Sequence, residues 1–362
     1  MKNRLFLAVL AIGTLVYPGG RGAAQDLPYQ VFERYVEPLA QQMGMPGLSA
    51  VIIRNNRVAW RRGYGYADAE NRIAATTDTP FAIGGVTQAI TGVLIGICVD
   101  RHQLRVDQGI REFVPTFAQP ASIRHVLAHA STGRFQYDPA AFAGLTGVIE
   151  KCLNEPFRVA TATEIIRRLS MTRSAPGLDV REPNSGVLAL FGLPEAQHYS
   201  RVLEQLAMPY RIQDGRYSRS EYPAFGLDAA GGLVASAEDL ALFEGSLDDD
   251  PLNADNIPIS RSTLLQMWTQ QTVDIANASG NVQSVPLPTG LGWFVQTASG
   301  VPLVWTFGHI PDAGSALIVK MPSKRLTLIM LANSDGLTAG YNFEQGDVTT
   351  SPFVKVFLRL FI

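Results

Sequence analysis

The stretch TPFAIGGVTQAITGVLIGICVDR, residues 79–101, decides the fold that we predict for this chain. Its first residues favour extended backbone, and the pair Gly84-Gly85 permits a tight backbone approach. Apolar residues then recur at helical spacing, namely Val86, Ile90, Val93, Leu94 and Ile97. The pattern predicts a helix that begins near Gly85 and is buried on most of its sides.

This stretch and the sequence after it resemble the serine β-lactamase-like family, which includes penicillin-binding proteins, class C β-lactamases and related esterases. In that family a Ser-x-x-Lys motif opens the same helix, with the lysine one turn after the nucleophilic serine. The aligned residues here are Gly85-Val86-Thr87-Gln88. The resemblance implies that the frame is kept while Gly85 replaces the serine and Gln88 replaces the lysine.

Two further motifs of the family are also altered. Tyr137-Asp138-Pro139 aligns with the Tyr-x-Asn motif, so that the tyrosine is kept and the asparagine becomes Pro139. His309-Ile310-Pro311 aligns with the Lys- or His-Thr/Ser-Gly motif, in which only the histidine is kept. A proline has no backbone N–H, so Pro311 is expected to interrupt the strand ladder, and the N–H of Asp312 is expected to reach the pocket instead.

These alignments imply a candidate ligand pocket and leave no confirmed catalytic residue. The degenerate motif positions are Gly85, Gln88, Tyr137, Pro139, His309 and Pro311. The expected pocket residues are Gly85, Gln88, Tyr137, His309 and Asp312. For Tyr137 and His309 the alternative is structural: a packed aromatic with a satisfied hydroxyl, and a histidine at a strand end.

Further landmarks extend the resemblance over about residues 29–361. Residues 127–133, LAHASTG, are similar to an L-x-x-H-x-S-G-like stretch. Residues 228–250 resemble the A-G-G-L-x-S-x-x-D-L segment, with Ser236 as a predicted helix N-cap and Asp239 in the first turn.

The resemblance and the chain order predict an α+β fold of the β-lactamase/transpeptidase type. Residues 29–43 have the pattern of an amphipathic helix, and the β-rich runs 47–54 and 57–68 flank Asn55-Asn56 as in a hairpin. Further strands are predicted at residues 291–296, 301–308, 314–320 and 325–333, before an apolar helix at about 351–361. We therefore expect an antiparallel sheet built from both chain ends, about 29–80 and 290–362, with a helical part at about 81–289. Residues 135–220 are expected to be mostly helices and loops.

Residues 1–24 have the features of a bacterial secretory signal peptide. Lys2 and Arg4 precede an apolar run at residues 5–17, and Gly22-Ala23-Ala24 provides a small-residue cleavage site. The alternative is an uncleaved membrane anchor, for which a run of about 13 residues is short. We expect a mature domain of residues 25–362 in the periplasm or outside the cell, without a stable membrane anchor.

Composition and charge exclude some classes of partner. The chain of 362 residues is 46% hydrophobic, has a formal net charge of -2 and contains no block of lysine and arginine. This balance argues against nucleic acid or an anionic membrane surface as a partner. The resemblance implies a small-molecule or cell-wall-fragment ligand and no cofactor, whereas a protein partner is left open.

Several other polar residues are interpreted as structural. Cys98 and Cys152 can pair in an oxidising compartment, but buried unpaired thiols are the commoner situation in such helices. His125 and His129 are four residues apart, yet no third ligand accompanies them, so no metal site is predicted. The run at residues 248–250, Asp-Asp-Asp, is interpreted as a solvated helix end.

The sequence leaves three functional hypotheses. The first is a secreted or periplasmic pseudoenzyme that binds an acyl-amide, ester or muropeptide. The second is an active esterase, peptidase or β-lactamase with a non-standard nucleophile. Thr87 is about 200° around the helix from Gly85, and Ser131 has no lysine partner in sequence reach, so neither is a strong substitute. The third is a structural or interaction protein whose pocket is filled by side chains.

Overall fold

An antiparallel sheet of seven strands forms the centre of the structure, a computed structural model that describes residues 21–181, 186–224, 226–248, 258–276 and 282–362. In spatial order the strands are β10 (Phe294–Ala298), β11 (Val301–Ile310), β12 (Gly314–Met321), β13 (Leu326–Ala332), β1 (Gly47–Arg54), β2 (Arg57–Asp68) and β3 (Ile73–Ala74). Strands from the two ends of the chain meet where β1 pairs with β13. The predicted architecture is confirmed in this respect.

The hairpin between β1 and β2 also forms as predicted. Its turn residues Asn55 and Asn56 have φ values of 51° and 61°. Both residues therefore adopt the left-handed backbone conformation. A two-residue turn whose twist matches that of the strands requires this conformation, and asparagine tolerates it well.

Side-chain alternation along the central strands separates two hydrophobic layers. In β1, Leu48, Ala50 and Ile52 belong to one core, whereas Val51 and Ile53 belong to the other. The first core lies under two helices from the chain ends, α1 (Arg21–Gln42) and α10 (Pro352–Phe361). Because strand residues point alternately to opposite faces, a strand buried on both sides is apolar over most of its length, and in β1 the polar residues are Ser49 and the exposed Arg54.

The second core lies against the helical part of the chain. Its helices are α2 (Thr87–Asp100), α3 (Ile123–Leu127), α4 (Pro139–Ala143), α5 (Leu145–Leu153), α6 (Phe157–Thr161), α7 (Leu193–Glu204), α8 (Ala237–Ser246) and α9 (Arg261–Met267). A π-helical turn, Ala162–Arg167, continues α6. In α2 the twelve residues from Thr87 to Cys98 are all buried, which confirms the predicted central helix. Ser236 caps α8 by accepting the N–H of Asp239, also as predicted.

Three small ribbons interrupt this helical part. They are β4 (Phe81–Ala82) with β7 (Val234–Ala235), β5 (Tyr210–Gln213) with β6 (Arg216–Arg219), and β8 (Thr272–Ala276) with β9 (Val282–Pro286). The expectation of helices and loops over residues 135–220 missed β5 and β6. Every residue of β6 is exposed, so the strand carries no apolar alternation that a sequence pattern could reveal.

Cys98 and Cys152 form a disulfide, so the expectation of unpaired thiols was wrong. Both residues are buried, as expected, but α5 packs against α2 and brings their Cα atoms to 6.3 Å. This separation lies within the range of disulfides. The sequence separation of 54 residues could not show that the two helices are neighbours.

The interpretation of residues 248–250 as a solvated helix end was wrong for Asp248, and Asp249 and Asp250 lie outside the described residues. Asp248 is buried, and its carboxylate accepts a hydrogen bond from Lys320 Nζ at 2.8 Å. Lys320 projects from β12 and is only 1% exposed; its Nζ also lies 3.2 Å from the Glu244 carboxylate. A buried ammonium requires such partners, and Asp248 supplies one of them.

The chain start is described only in part. Residues 1–20 of the predicted signal peptide lie outside the described residues, and α1 begins at Arg21 rather than near Tyr29. Among the helices of the described ranges, none combines the length and apolarity that a membrane span needs.

Candidate ligand-binding site

The candidate site begins where the chain turns from β4 into α2. The Ile83 N–H donates to Leu233 O beside β7, and a 3₁₀ turn over Gly84–Val86 then leads into the helix. Gly84 has a φ of 51°, which favours glycine, and strand β11 passes close by. A Cβ on Gly308 would lie 1.9 Å from Ile83 O, so the close approach depends on a glycine there as well.

Gly85 aligns with the nucleophile of the family that this chain resembles, and a side chain at this position would force its neighbours to shift. A Cβ on Gly85 would lie 2.7 Å from Phe307 O and 2.9 Å from the Tyr137 hydroxyl. Distances below 3.0 Å are essentially absent for real Cβ atoms, and the first neighbour is backbone. The strand and the tyrosine therefore occupy the room that a serine would need.

A chain of hydrogen bonds runs beneath this position. The Asp138 N–H donates to His129 Nδ1 at 3.1 Å, and His129 Nε2 lies 3.0 Å from Gln88 Oε1. Because Nδ1 accepts, the ring proton is on Nε2 and is donated to Gln88. The Gln88 amide nitrogen then donates to the Tyr137 hydroxyl at 3.2 Å. Each bond in the chain thus has a defined direction.

One proton of this hydrogen-bond chain, that of the Tyr137 hydroxyl, is left without an acceptor among the described residues. Tyr137 Oη accepts from Gln88, and within the described part of the chain no acceptor takes the Tyr137 hydroxyl proton. Tyr137 lines the cavity, and its Oη lies close to the side-chain position of Gly85. The Tyr137 hydroxyl is therefore available as a hydrogen-bond donor at the cavity wall.

Burial keeps the two titratable side chains of the hydrogen-bond chain, His129 and Tyr137, neutral. It lowers the pKa of His129 to about 4, against the smaller opposing influence of Asp138. It also raises the pKa of Tyr137 well above its usual range, while the Gln88 hydrogen bond lowers it slightly. With glutamine in place of lysine, no cation at position 88 favours a phenolate. The Tyr137 phenol therefore stays protonated at neutral pH.

His309 lies at the end of β11, beside the cavity. Its Nδ1 is 3.0 Å from Thr338 Oγ1, and the side chain is only partly buried. Strand β11 ends at Ile310, so Pro311 stands outside the ladder, as its missing N–H requires.

Asp312 does not have the orientation that we expected. It has a φ of 59° in the connection between β11 and β12, and its N–H donates to Asp335 Oδ2 at 3.3 Å. The expectation of an Asp312 N–H in the pocket was wrong, because the turn after Pro311 directs that N–H to the carboxylate of Asp335.

These elements enclose a cavity of about 450 Å³. Its described lining residues are Gly84, Gly85, Tyr137, Pro139, Ala140, Ala143, Pro223, Gly226, Asp228, Ala230, Gly231, His309, Ile310, Pro311 and Glu344. Most of them are apolar or glycine. They include two carboxylates, Asp228 and Glu344, but no lysine, arginine, serine, threonine or cysteine.

The structure thus brings together five of the seven residues that the motifs indicated. Gly85, Tyr137, Pro139, His309 and Pro311 line the cavity. Gln88 is buried behind Tyr137, and Asp312 is outside the lining.

Sequence reasoning missed three residues of the site. His129 was considered only as a metal ligand, although its place in the family-like stretch LAHAS was a signal for a site role. Asp228 precedes the Ala-Gly-Gly landmark, and Glu344 lies in a loop after β13 without any motif. Only the fold brings these two carboxylates to one cavity.

Thr87 is not a hidden nucleophile. Its Oγ1 donates to Gly84 O at 2.8 Å and accepts from Leu233 N–H at 3.4 Å. It therefore points away from the cavity, as the helical spacing predicts. Ser131 is only partly buried and is not among the lining residues.

Known proteins are similar to this chain in sequence over a short segment and in fold over most of its length. A 116-residue segment is 26% identical to the teichoic acid D-alanine hydrolase of Staphylococcus aureus strain MRSA252, and it covers 32% of this chain and 28% of that protein. A 109-residue segment is 28% identical to protein flp of Staphylococcus aureus strain N315, and it covers 28% of this chain and 22% of that protein. The match spans less than a third of these curated relatives.

Solved structures match over far more of the chain. The octameric penicillin-binding protein homologue from Pyrococcus abyssi has a TM-score of 0.70 and 21% identity, over 91% of this chain and 77% of that chain. SurE has a TM-score of 0.67 and 20% identity, over 93% of this chain and 77% of the SurE chain. These likenesses show the β-lactamase/transpeptidase-like fold. The sequence model of the β-lactamase family matches residues 32–345, most of the chain, and this chain therefore belongs to the β-lactamase family.

Proposed function

We propose that this protein is a pseudoenzyme of the serine β-lactamase-like superfamily that binds an acyl-amide, ester or muropeptide ligand without cleaving it. The observation that carries the proposal is the closure around Gly85. The carbonyl of Phe307 and the hydroxyl of Tyr137 occupy the space that a nucleophilic side chain would need. The site has therefore lost the room for the nucleophile as well as the nucleophile itself.

The described residues of the cavity lining offer no substitute for the missing nucleophile. None of its described residues carries an aliphatic hydroxyl or a thiol, and Gln88 is fixed between His129 and Tyr137 rather than free to act as a base. Loss of the nucleophile in a serine hydrolase costs about 10⁶ in rate, and only about 10³ to 10⁴ over water remains from binding and the oxyanion hole. Residual hydrolysis of that size would not sustain an ordinary esterase.

The same cavity supports ligand binding. Its volume of about 450 Å³ is within the range of ligand pockets, and its lining is mostly apolar with a few polar groups. The Tyr137 hydroxyl provides a directed donor for a ligand carbonyl. This combination favours binding over the third hypothesis, in which side chains fill the pocket.

The disulfide supports a secreted or periplasmic location. Bonds such as Cys98–Cys152 form and persist mainly in oxidising compartments. This agrees with the basic start, apolar run and small-residue site at residues 1–24.

Ligand-induced stabilisation, measured together with turnover, tests the proposal. We expect an ester, amide or muropeptide probe to raise the melting temperature, because a ligand that binds only the native state stabilises it by about 2.7 kcal/mol at 100 Kd. The same probes should release no product beyond the rate in buffer. Product release that disappears on mutating Tyr137 or His309 would establish the alternative, a hydrolase with a non-standard nucleophile.

A further inference from the structure

The polar groups of the cavity have an unbalanced charge. Asp228 and Glu344 both line it, and they come from different segments, the loop before β7 and the loop after β13. Neither carboxylate forms a salt bridge within the described residues. Glu344 is exposed at the cavity wall, and its charge contributes to raising the pKa of Tyr137 after the larger effect of burial.

Asp228 is held in place by the backbone of its own loop. Its Oδ1 accepts the N–H groups of Ala230 at 2.7 Å and Gly231 at 3.1 Å. These bonds fix the carboxyl group while its second oxygen makes no hydrogen bond that the described residues supply. A fixed carboxylate of this kind can bind a ligand cation with little reorganisation.

No cation of the protein offsets these two groups at the cavity wall. The described lining residues include no lysine or arginine, and His309 is the only one of them that can become positive. The part of the site that carries a lysine in much of the family is thus occupied by a histidine here. A ligand carboxylate would meet two like charges in the wall of a mostly apolar cavity, which is unfavourable.

We propose that the cavity selects ligands that carry a primary ammonium group next to the acyl carbonyl, such as aminoacyl amides and esters, and disfavours ligands that carry a carboxylate. The Tyr137 hydroxyl donates to the carbonyl oxygen, and Asp228 and Glu344 attract the ammonium group. This inference rests on the proposed function, because it names the class of ligand that the same cavity binds.

Three matched probes test the inference by titration calorimetry. D-Alanine p-nitroanilide, its N-acetyl derivative and its N-succinyl derivative present a positive, a neutral and a negative group at the same position. The measurement is made at about pH 6.5, below the usual α-amino pKa, so that the first probe is charged. We expect the amine to bind at least about tenfold more tightly than the N-acetyl probe and the N-succinyl probe to bind most weakly. Added salt should reduce the preference.

Charge-neutral variants assign the preference to the two carboxylates. Asp228→Asn keeps the acceptor for the Ala230 and Gly231 N–H groups, and Glu344→Gln keeps the side-chain shape. The double variant should reduce the preference for the amine to less than about threefold. The matched control Asp214→Asn removes one charge from an exposed turn outside the cavity and should leave the preference unchanged.

The possible failures are distinguishable. Equal or tighter binding of the neutral or anionic probe overturns the inference while the proposed binding function stands. An amine preference that survives in the double variant also overturns it. If none of the three probes binds to the folded protein while an ester or muropeptide probe does, the inference fails alone; if no probe of any of these classes binds, the proposed binding function fails with it. Release of p-nitroaniline contradicts the pseudoenzyme proposal alone.

Discussion

The amide nitrogen of Gln88 lies 3.2 Å from the hydroxyl oxygen of Tyr137. In the Ser-x-x-Lys enzymes that this chain resembles, a lysine occupies the position of Gln88, and the lysine and the tyrosine handle protons. Here a neutral amide, oriented by His129, makes the tyrosine accept one hydrogen bond and present its own proton to the cavity. The position of the family's lysine is thus held by a neutral amide that donates to the tyrosine.

Gln88→Leu should destabilise the protein by about 2–6 kcal/mol, since it leaves both His129 and Tyr137 with an unmatched polar atom at about 1–3 kcal/mol each. Urea unfolding checks this value. The control Gln41→Leu changes an exposed glutamine of α1 and should alter the free energy of unfolding by less than about 0.5 kcal/mol. Equal effects at the two positions would show that the hydrogen-bond chain contributes nothing.

Gln88→Glu should reverse the direction of the last hydrogen bond. A carboxylate only accepts, so the Tyr137 hydroxyl would donate to Glu rather than to a ligand. We expect a folded protein whose affinity for carbonyl ligands falls about tenfold, measured by calorimetry. Unchanged affinity would mean that the Tyr137 proton does not contact the ligand.

Gly85→Ser should not restore hydrolysis, and it should destabilise the fold by about 1–3 kcal/mol, as over-packing does. The new Cβ would meet Phe307 O at 2.7 Å, and that backbone is fixed in β11. The matched control is Gly192→Ser, at the start of α7, where a Cβ meets no atom within 4 Å and serine is a favourable N-cap.

The double variant Gly85→Ser with Gln88→Lys extends this test to the other motifs. It should remain far below ordinary esterase rates, because Pro139 and Pro311 also depart from the family pattern. Recovery of such rates in the double variant would show that these two positions matter little.

His129 should make the protein less stable in acid. Its pKa is about 4 in the folded state, against 6.5 for the free side chain, so the unfolded chain binds more protons between these values. Its stabilising contribution is fully present above about pH 6.5 and is lost as the pH falls towards 4, with a slope of up to about 1.4 kcal/mol per pH unit.

The variant His129→Asn isolates this contribution. Asparagine tolerates the φ of 53° at this position, and its side-chain oxygen can accept the Asp138 N–H. Asp239 has a pKa that burial raises to about 6 and therefore acts in the opposite direction, since its contribution is lost as the pH rises through 6. Subtracting the variant's pH profile from that of the wild type removes Asp239. A difference profile that is flat between pH 4 and 6.5 would contradict the prediction.

Much of the fold could be predicted from the sequence, because its signals are local. The Asn55-Asn56 turn, the apolar run of α2 and the Ser236 cap each depend on neighbouring residues alone. The exposed strand β6 and the pair Cys98–Cys152 could not be predicted, since one lacks an apolar pattern and the other depends on helix packing.

The site was predictable only where the family motifs marked it. Gly85, Tyr137 and His309 were found through their positions in the motifs. Glu344 has no motif, and only the tertiary fold places it in the cavity. The predicted direction of the Asp312 N–H was wrong. That direction depends on the left-handed backbone conformation of Asp312, which no pattern in the sequence specified.

The disulfide should contribute substantially to stability. Chain-entropy arguments give about 4 kcal/mol for a loop closed over 54 residues. The double variant Cys98→Ser with Cys152→Ser should lower the free energy of unfolding by that order, measured by urea unfolding under non-reducing conditions. A reductant should destabilise the wild type but not the variant.

Intact-protein mass spectrometry of the tag-free chain, after incubation with a fluorophosphonate and separately with a penicillin, tests the central claim most directly. The occupied space at Gly85 and the described cavity lining, which has no aliphatic hydroxyl or thiol group, predict no covalent mass shift with either reagent. A stoichiometric shift that maps to a residue of this cavity would show a working nucleophile and would contradict the pseudoenzyme account.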